Sequence, residues 1–179
     1  MGYTHYWERP LELEKERYSL LSKDVKKIFE ASIDRGIRLS DGLDIKPEPI
    51  ADEDDILFNG RTDDSHESFH LPRIFEPLKW MKPSKAGLYF SFCKTARKPY
   101  DLTVMAVLIA LKHHFVGVTV TSDGKEDNWT SAKEMCNQLF GYGLDFKLSM
   151  KLTLDPVETY GMKFIRIDDL PTPEELSNV

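Results

Sequence analysis

The chain has 179 residues and a net charge of −6, and 41% of its residues are hydrophobic against 30% that are charged. These values predict one soluble domain with a sizeable core, and the acidic balance argues against general binding of nucleic acid or of anionic membranes. Two cysteines are too few for a disulfide scaffold and no segment matches a secretory signal or a membrane span, so we expect a cytoplasmic protein.

Hydrophobic spacing and turn residues predict the following elements. We expect, in chain order, a strand at 2–7, a helix at 13–35, strands at 56–59, 67–71 and 87–93, a helix at 101–115, a strand at 118–121 and a helix at 128–140. The first helix buries one face, formed by Leu21, Val25, Ile28, Phe29 and Ile33. The second is apolar almost all round, so we expect it to be buried. Gly36 and Gly141 stand where the first and third helices should end.

The order of these elements predicts the fold class. Strands that follow one another without an intervening helix favour antiparallel pairing. We therefore expect an α+β fold in which about three helices pack on a mostly antiparallel sheet as a two-layer sandwich. We predict a single domain at 1–142 and a C-terminal extension at 143–179 with short strands at 147–154 and 162–167 and a frayed end. The oligomeric state stays open.

The segment HESFH, His66 to His70, matches the zinc-protease pattern of two histidines around a glutamate. That chemistry requires a helix, because only there do the two histidines lie on one face about 6 Å apart. The alternation around Glu67 predicts a strand instead, which separates the histidines by about 13 Å. We therefore predict no metal site, and no cofactor.

Cys93 ends the strand at 87–93 and invites comparison with phosphatase loops, in which a cysteine and an arginine are separated by five residues that include small ones. Here Arg97 follows after three residues, and Lys94, Lys98 and Pro99 replace the glycines that let backbone amides converge on an anion. The sequence therefore favours a buried strand cysteine over a nucleophile.

Lys94, Arg97 and Lys98 crowd the start of the second helix, whose N-terminus we expect Asp101 to cap. Cations there are unfavourable unless a negative group offsets them. Acids of the 41–55 loop or the Asp63-Asp64 turn are one source, and we favour this pairing in the resting protein. A bound phosphate or carboxylate is the other, which makes this cluster the best candidate site.

The opening GYTHYW adds rings close to this cluster if the first strand lies beside the strand at 87–93. Most of these rings should belong to the core, with His5 and Tyr6 on opposite faces. An exposed aromatic side chain beside cations is suited to stacking a planar ring such as a nucleobase.

Three stretches, MGYTHYW, FNG…HESF and FCKTARKPYD followed by SDG…W, resemble a group of small uncharacterised proteins of bacteria and tailed phages. The resemblance covers about residues 1–142 and implies a phage or prophage accessory protein, of a kind that often counters host defence in the host cytoplasm. By residue match it points to His5, Tyr6, Trp7, Asn59, His66, Glu67, Lys94, Arg97, Tyr100 and Asp101.

Three functions are compatible with these residues. The first is binding of an anionic small molecule, for example a nucleotide. Its candidate ligand-binding residues are His5, Tyr6, Trp7, Asn59, Lys94, Arg97, Tyr100 and Asp101. The second is a phosphoester- or nucleotide-processing enzyme with His66 and Glu67 as candidate catalytic residues. The third is an acidic interaction module that inhibits a host protein. Whether any reaction is catalysed stays open.

Overall fold

The computed structural model describes residues 2–42 and 48–149. The elements are β1 (Thr4–Arg9), α1 (Lys15–Asp34), β2 (Leu39–Ser40), β3 (Ile50–Ala51), β4 (Asp55–Gly60), β5 (Phe69–Pro72), β6 (Tyr89–Lys94), α2 (Asp101–His114), β7 (Thr119–Ser122) and α3 (Thr130–Phe140), with short 3₁₀ helices at Thr62–Asp64 and Glu126–Trp129. The α+β fold class is confirmed. The antiparallel strands divide into two sheets, whereas the sequence pattern indicated one.

The first sheet has the order β6-β1-β7, and both pairings are antiparallel. Because side chains alternate along a strand, His5 and Trp7 lie on the buried face while Tyr6 lies on the opposite one. The buried face packs toward α2, and the opposite face carries partly exposed side chains. The sheet is thus covered on one side only.

The second sheet is built around β4, which pairs antiparallel with β2, β3 and β5. It contacts the first sheet near Glu67, whose backbone N–H donates to the carbonyl of Lys94 at the end of β6. Apart from this hydrogen bond, β5 and β6 are not paired as strands in the described chain.

A line of aromatic rings joins both sheets to the helices. Trp7 of β1 stacks on Phe69 of β5 with ring centroids 4.9 Å apart. Phe58 of β4 lies 5.0 Å from Phe69 and 5.0 Å from Phe29 of α1. All four are buried, so one hydrophobic core serves the two sheets and the helical layer.

The helices begin and end within two residues of the predicted boundaries. One residue that was predicted to be buried is exposed. The Glu14 carboxylate accepts from two backbone amides in the first turn of α1, and Gly36 follows its end at φ +82°. Residues 103–111 of α2 are all buried, as predicted. Ile33 was expected in the core but is 52% exposed. The buried position next to it belongs to Ser32, whose hydroxyl is satisfied by that of Thr103 at 2.9 Å.

The described part of the C-terminal extension, residues 143–149, packs on the domain. Phe146 stacks on Trp129 at 4.9 Å, and the N–H of Ser149 donates to the carbonyl of Val120. Residues 147–149 are irregular, and the rest of the predicted strand at 147–154, like that at 162–167, lies outside the described residues. Within the described ranges, no helix is long and apolar enough to cross a membrane.

Candidate functional site

Four of the predicted site residues, His5, Tyr6, Trp7 and Lys94, come from two adjacent strands. β1 lies beside β6 in the register Thr4 to Lys94, His5 to Cys93 and Tyr6 to Phe92, so the expected adjacency is confirmed. The alternation of the strands divides these residues between two environments: His5 and Trp7 enter the core, and Tyr6 and Lys94 lie on the uncovered face.

His5 is fully buried and links three elements. Its Nε2 lies 2.8 Å from Oδ1 of Asp101, and its Nδ1 lies 3.0 Å from the Ser122 hydroxyl. Since the aspartate only accepts when ionised, Nε2–H donates to it and the serine donates to Nδ1. Ser122 accepts in turn from the N–H of Gly124 at 2.9 Å.

This Ser-His-Asp chain has the composition of a hydrolase triad, but its hydroxyl is out of reach of a substrate. Ser122 is 5% exposed and His5 is 0% exposed. The arrangement instead fastens β1 and β7 to the start of α2. Asp101 is the first residue of α2, and its carboxylate accepts from His5 and from the Thr95 hydroxyl, so the expected N-cap is wrong.

The basic link between β6 and α2 is a tight turn with strained backbone. The N–H of Lys98 donates to the carbonyl of Thr95 at 3.0 Å, and the two central residues, Ala96 and Arg97, have φ of +51° and +58°. These values define a type I′ turn, which favours Asn-Gly because side chains rarely adopt positive φ. The amides of Thr95 and Ala96 both donate to the carbonyl of Tyr3, which holds the turn in place.

The strained turn presents the Arg97 side chain to solvent in a fixed place. Its guanidinium carbon lies 3.8 Å from the centroid of the Tyr3 ring. Such stacking satisfies one face of the guanidinium and leaves its N–H groups outward. Tyr3 is buried at 3% exposure, so the ring is a firm support.

The cations of this link have no carboxylate partner among the described residues. Lys98 donates to the backbone carbonyl of Asp63 at 2.6 Å, and Asp64 is paired with Arg38 instead. The end of the Lys94 side chain packs beside Gly2. Neither Lys94 nor Arg97 takes part in any of the ion pairs of residues 2–42 and 48–149. The favoured pairing with the protein's own acids is thus not found in these parts of the chain.

Asn59, Tyr100 and Glu67 build the support behind the turn. The side-chain amide of Asn59 donates to the carbonyl of His66 at 3.0 Å, and its oxygen accepts from the N–H of His66 at 3.1 Å. The buried Tyr100 hydroxyl donates to the carbonyl of Glu67 at 2.7 Å, and the Glu67 carboxylate accepts from the N–H of Lys94 at 2.8 Å. Asn59 and Tyr100 therefore hold the loop at His66 and Glu67 in place, and the Glu67 carboxylate is engaged by a backbone N–H. His66 is exposed.

Cys93 is fully buried, whereas the sequence favoured a buried strand cysteine but left its exposure open. Burial raises the pKa of its thiol, with the nearby Glu67 carboxylate adding to the effect. A thiol with a raised pKa is a poor nucleophile at neutral pH. The structure therefore agrees with the sequence in excluding a phosphatase-type loop.

The uncovered face of β1 and β6 continues from Lys94 into an aromatic surface. Tyr6 stacks on Phe90 with centroids 5.9 Å apart, and Phe90 lies 6.0 Å from Phe92. Phe92 is 54% exposed. The Tyr6 hydroxyl donates to Asp123 at 3.2 Å, which fixes the ring orientation.

A cavity of about 550 Å³ opens beside these rings and was not predicted. It is lined by His70, Phe75, Glu76, Leu78, Trp80, Met81, Lys82, Phe90, Ser91 and Phe92. One signal was present in the sequence: the proline-punctuated link at 72–84 contains five large apolar residues although it has neither helix nor strand periodicity. Apolar side chains on such a surface loop commonly mark a binding site.

The buried Arg9 anchors the wall of this cavity. Its guanidinium donates to the carbonyls of Pro10, Leu11, Pro72 and Arg73. Burial lowers the pKa of Arg9 to about 10, so the residue stays charged at neutral pH. It also lies over the Phe75 ring at 5.8 Å, which places the first apolar side chain of the wall.

In residues 2–42 and 48–149, no group of three or more His, Cys, Asp or Glu side chains lies together as potential metal ligands; of the two histidines of HESFH, His66 lies in a loop and His70 in β5. No protein-family model, curated protein or solved structure matches the chain.

Proposed function

We propose that the protein binds an anionic small molecule that carries a planar ring, for which a nucleotide is the simplest example. The observation behind the proposal is that Lys94, without a carboxylate partner in the described chain, shares the uncovered sheet face with Tyr6 and Phe92. A cation next to exposed rings suits a ligand with both features.

We propose Arg97, three residues along the chain from Lys94, as a second positive group that contacts the ligand. Arginine recognises phosphate and carboxylate through paired N–H donors, and its affinity rises when the guanidinium is held in place beforehand. The stack on Tyr3 and the strained turn provide that restraint. Backbone strain of this kind persists only where the surroundings enforce it, and it clusters at functional sites.

The biological setting of the proposal rests on the resemblance to proteins of bacteria and tailed phages. In that setting a binding protein without turnover sequesters a nucleotide signal or substrate of a host defence system. The local basic surface on an otherwise acidic chain, with net charge −6, suits a small anion better than a polyanion.

A thermal-shift panel tests the proposal. Purified protein is melted with inorganic phosphate and with nucleoside mono-, di- and triphosphates, and we expect at least one nucleotide to raise the melting temperature in a saturable way. Lys94→Ala and Arg97→Ala should each remove the shift. Lys26→Ala, which deletes the same charge from an exposed position on α1, should retain it. A wild-type protein that responds to none of these compounds contradicts the proposal.

The two other functions give different results in the same samples. An enzyme consumes the stabilising compound, and His66→Ala stops the consumption while the thermal shift remains; the commitment of the Glu67 carboxylate to the N–H of Lys94 disfavours this outcome. An acidic interaction module ignores all the compounds and captures a basic host protein through the exposed acids at 52–54.

A further inference from the structure

The cavity lies along one edge of β6. Phe90, Ser91 and Phe92 are consecutive and point to alternate faces of the strand, yet all three line it. One cavity can contact side chains on both faces of a strand only if it wraps around a free edge of that strand. β6 is paired with β1 along one edge, so the cavity lies at its other edge. His70 of β5 closes the space from the other sheet, so the cavity fills the gap between the two sheets.

The volume and the lining fit a small molecule. Pockets for such ligands measure about 300–1,000 Å³ and combine an apolar lining with a few polar groups. The volume here is about 550 Å³, and three phenylalanines, a tryptophan, a leucine and a methionine face a small polar set of His70, Glu76, Lys82 and Ser91. Flat rings are the ligand groups that aromatic linings bind best.

The edge offers an added peptide strand only a limited length of backbone. At one end the carbonyl of Lys94 already accepts a hydrogen bond from the backbone N–H of Glu67 at 3.2 Å. At the other end the chain turns tightly before β6, where the N–H of Ser84 donates to the carbonyl of Leu88. The stretch between them, residues 89–93, is five residues long and so no longer than an average strand, which limits the backbone pairing open to an added strand.

The charge around the cavity favours an acidic ligand. The segment 74–87 that forms the outer wall contains Lys79, Lys82 and Lys85 against a single acid, Glu76. None of these lysines belongs to an ion pair of the described residues. Lys94 lies two positions beyond Phe92 on the same strand face, about 7 Å away.

We propose that this cavity, here named the edge cavity, receives the apolar ring system of the ligand while Lys94 binds its acidic group. The ligand class is then a small molecule with two or more aromatic rings and one acidic substituent. The position of the acidic group rests on the proposed function, whereas the occupation of the edge cavity does not.

Two fluorescent compounds that differ by one sulfonate test the inference. N-phenyl-1-naphthylamine is neutral, and 8-anilinonaphthalene-1-sulfonate carries the same rings with an acidic group. Trp80 is 63% exposed, whereas Trp7 and Trp129 are 1% and 0% exposed, so a change in tryptophan emission reports on the edge cavity. We expect both compounds to bind saturably and to shift the emission of Trp80 to shorter wavelength.

Leu78 and Leu144 provide a matched pair of variants, because each is 59% exposed and only Leu78 lines the edge cavity. Leu78→Asp should weaken binding of the neutral compound at least tenfold, and Leu144→Asp should leave it unchanged. Trp80→Phe should remove the emission change while the compound's own fluorescence still shows binding. The sulfonate should bind about tenfold more tightly than the neutral compound, and Lys94→Ala should cancel this difference.

The outcomes separate the two proposals. Failure of the neutral compound to bind, or equal loss in Leu78→Asp and Leu144→Asp, overturns the edge-cavity inference. A self-associated protein that Leu78→Asp converts to monomer also overturns it, because a second copy then covers the cavity. Equal affinity for the two compounds, with Lys94→Ala unchanged, contradicts the anionic contact of the proposed function and leaves the edge-cavity inference supported.

Discussion

The strained turn between β6 and α2 makes a direct stability prediction. Ala96 adopts φ +51° without the freedom of glycine, and the neighbouring Arg97 adopts +58°. Replacing Ala96 with glycine removes the repulsion between its Cβ and the backbone and leaves the hydrogen bonds of the turn in place. We therefore expect Ala96→Gly to stabilise the protein, which is the opposite of the usual effect of this change.

The size of the effect follows from two opposing contributions. The left-handed conformation costs a non-glycine residue about 1–2 kcal/mol. Glycine gives the unfolded chain more conformational freedom, which costs about 0.4–1 kcal/mol of stability. The net gain in free energy of unfolding is then about 0.5–1 kcal/mol, or about 2 °C in melting temperature for a chain of this length.

Urea and thermal denaturation of the wild type and three variants measure this difference. Ala86→Gly is the control, because Ala86 also lies in a turn but has no positive φ, and we expect it to lower stability by a few tenths of a kcal/mol or more. Arg97→Gly relieves strain but loses the stack on Tyr3, worth about 0.5–1 kcal/mol, so it should change stability little. If Ala96→Gly destabilises as much as Ala86→Gly, the strain argument is refuted.

Three further predictions concern individual polar or titratable side chains. His5→Leu leaves Asp101 and Ser122 without their partner and should lower the free energy of unfolding by about 2–4 kcal/mol, measured by urea denaturation, with His5→Gln less damaging. Loss of hydration and the neighbouring His114 lower the pKa of His113 below its ordinary 6.5, so its contribution to stability is complete above pH 6.5 and is lost as the pH falls. His113→Gln should flatten that part of the curve of stability against pH. Burial raises the pKa of Cys136 to about 12 and that of Cys93 as well, so neither thiol should react with Ellman's reagent at pH 8 until urea unfolds the protein.

Local sequence signals predicted most helices and strands because they act over a few residues. The apolar run in α2 and the glycines at 36 and 141 locate helices and their ends, since burial and left-handed backbone are local requirements. β2 and β3 have two residues each, which is too short for an alternating pattern to register. The division into two sheets depends on which distant segments pair, and no local periodicity records that β1 lies between β6 and β7.

The candidate site was predicted less completely. Alternation placed His5 and Tyr6 on opposite faces, but it did not indicate which face would be covered by α2. The basic link was correctly singled out, whereas its strained turn depends on a tertiary contact with the carbonyl of Tyr3. Trp80 stands in a segment without periodicity, so only its packing against β6 makes it part of a cavity.

The line of rings from Trp7 through Phe69 and Phe58 to Phe29 has a consequence for how the protein unfolds. Each ring belongs to a different element, so neither sheet has a separate core that could persist after the other is lost. Removing one ring leaves its neighbours with an unfilled space and weakens contacts in both sheets at once. We therefore expect the described residues to unfold as a single cooperative unit, in which far-ultraviolet and near-ultraviolet signals are lost together.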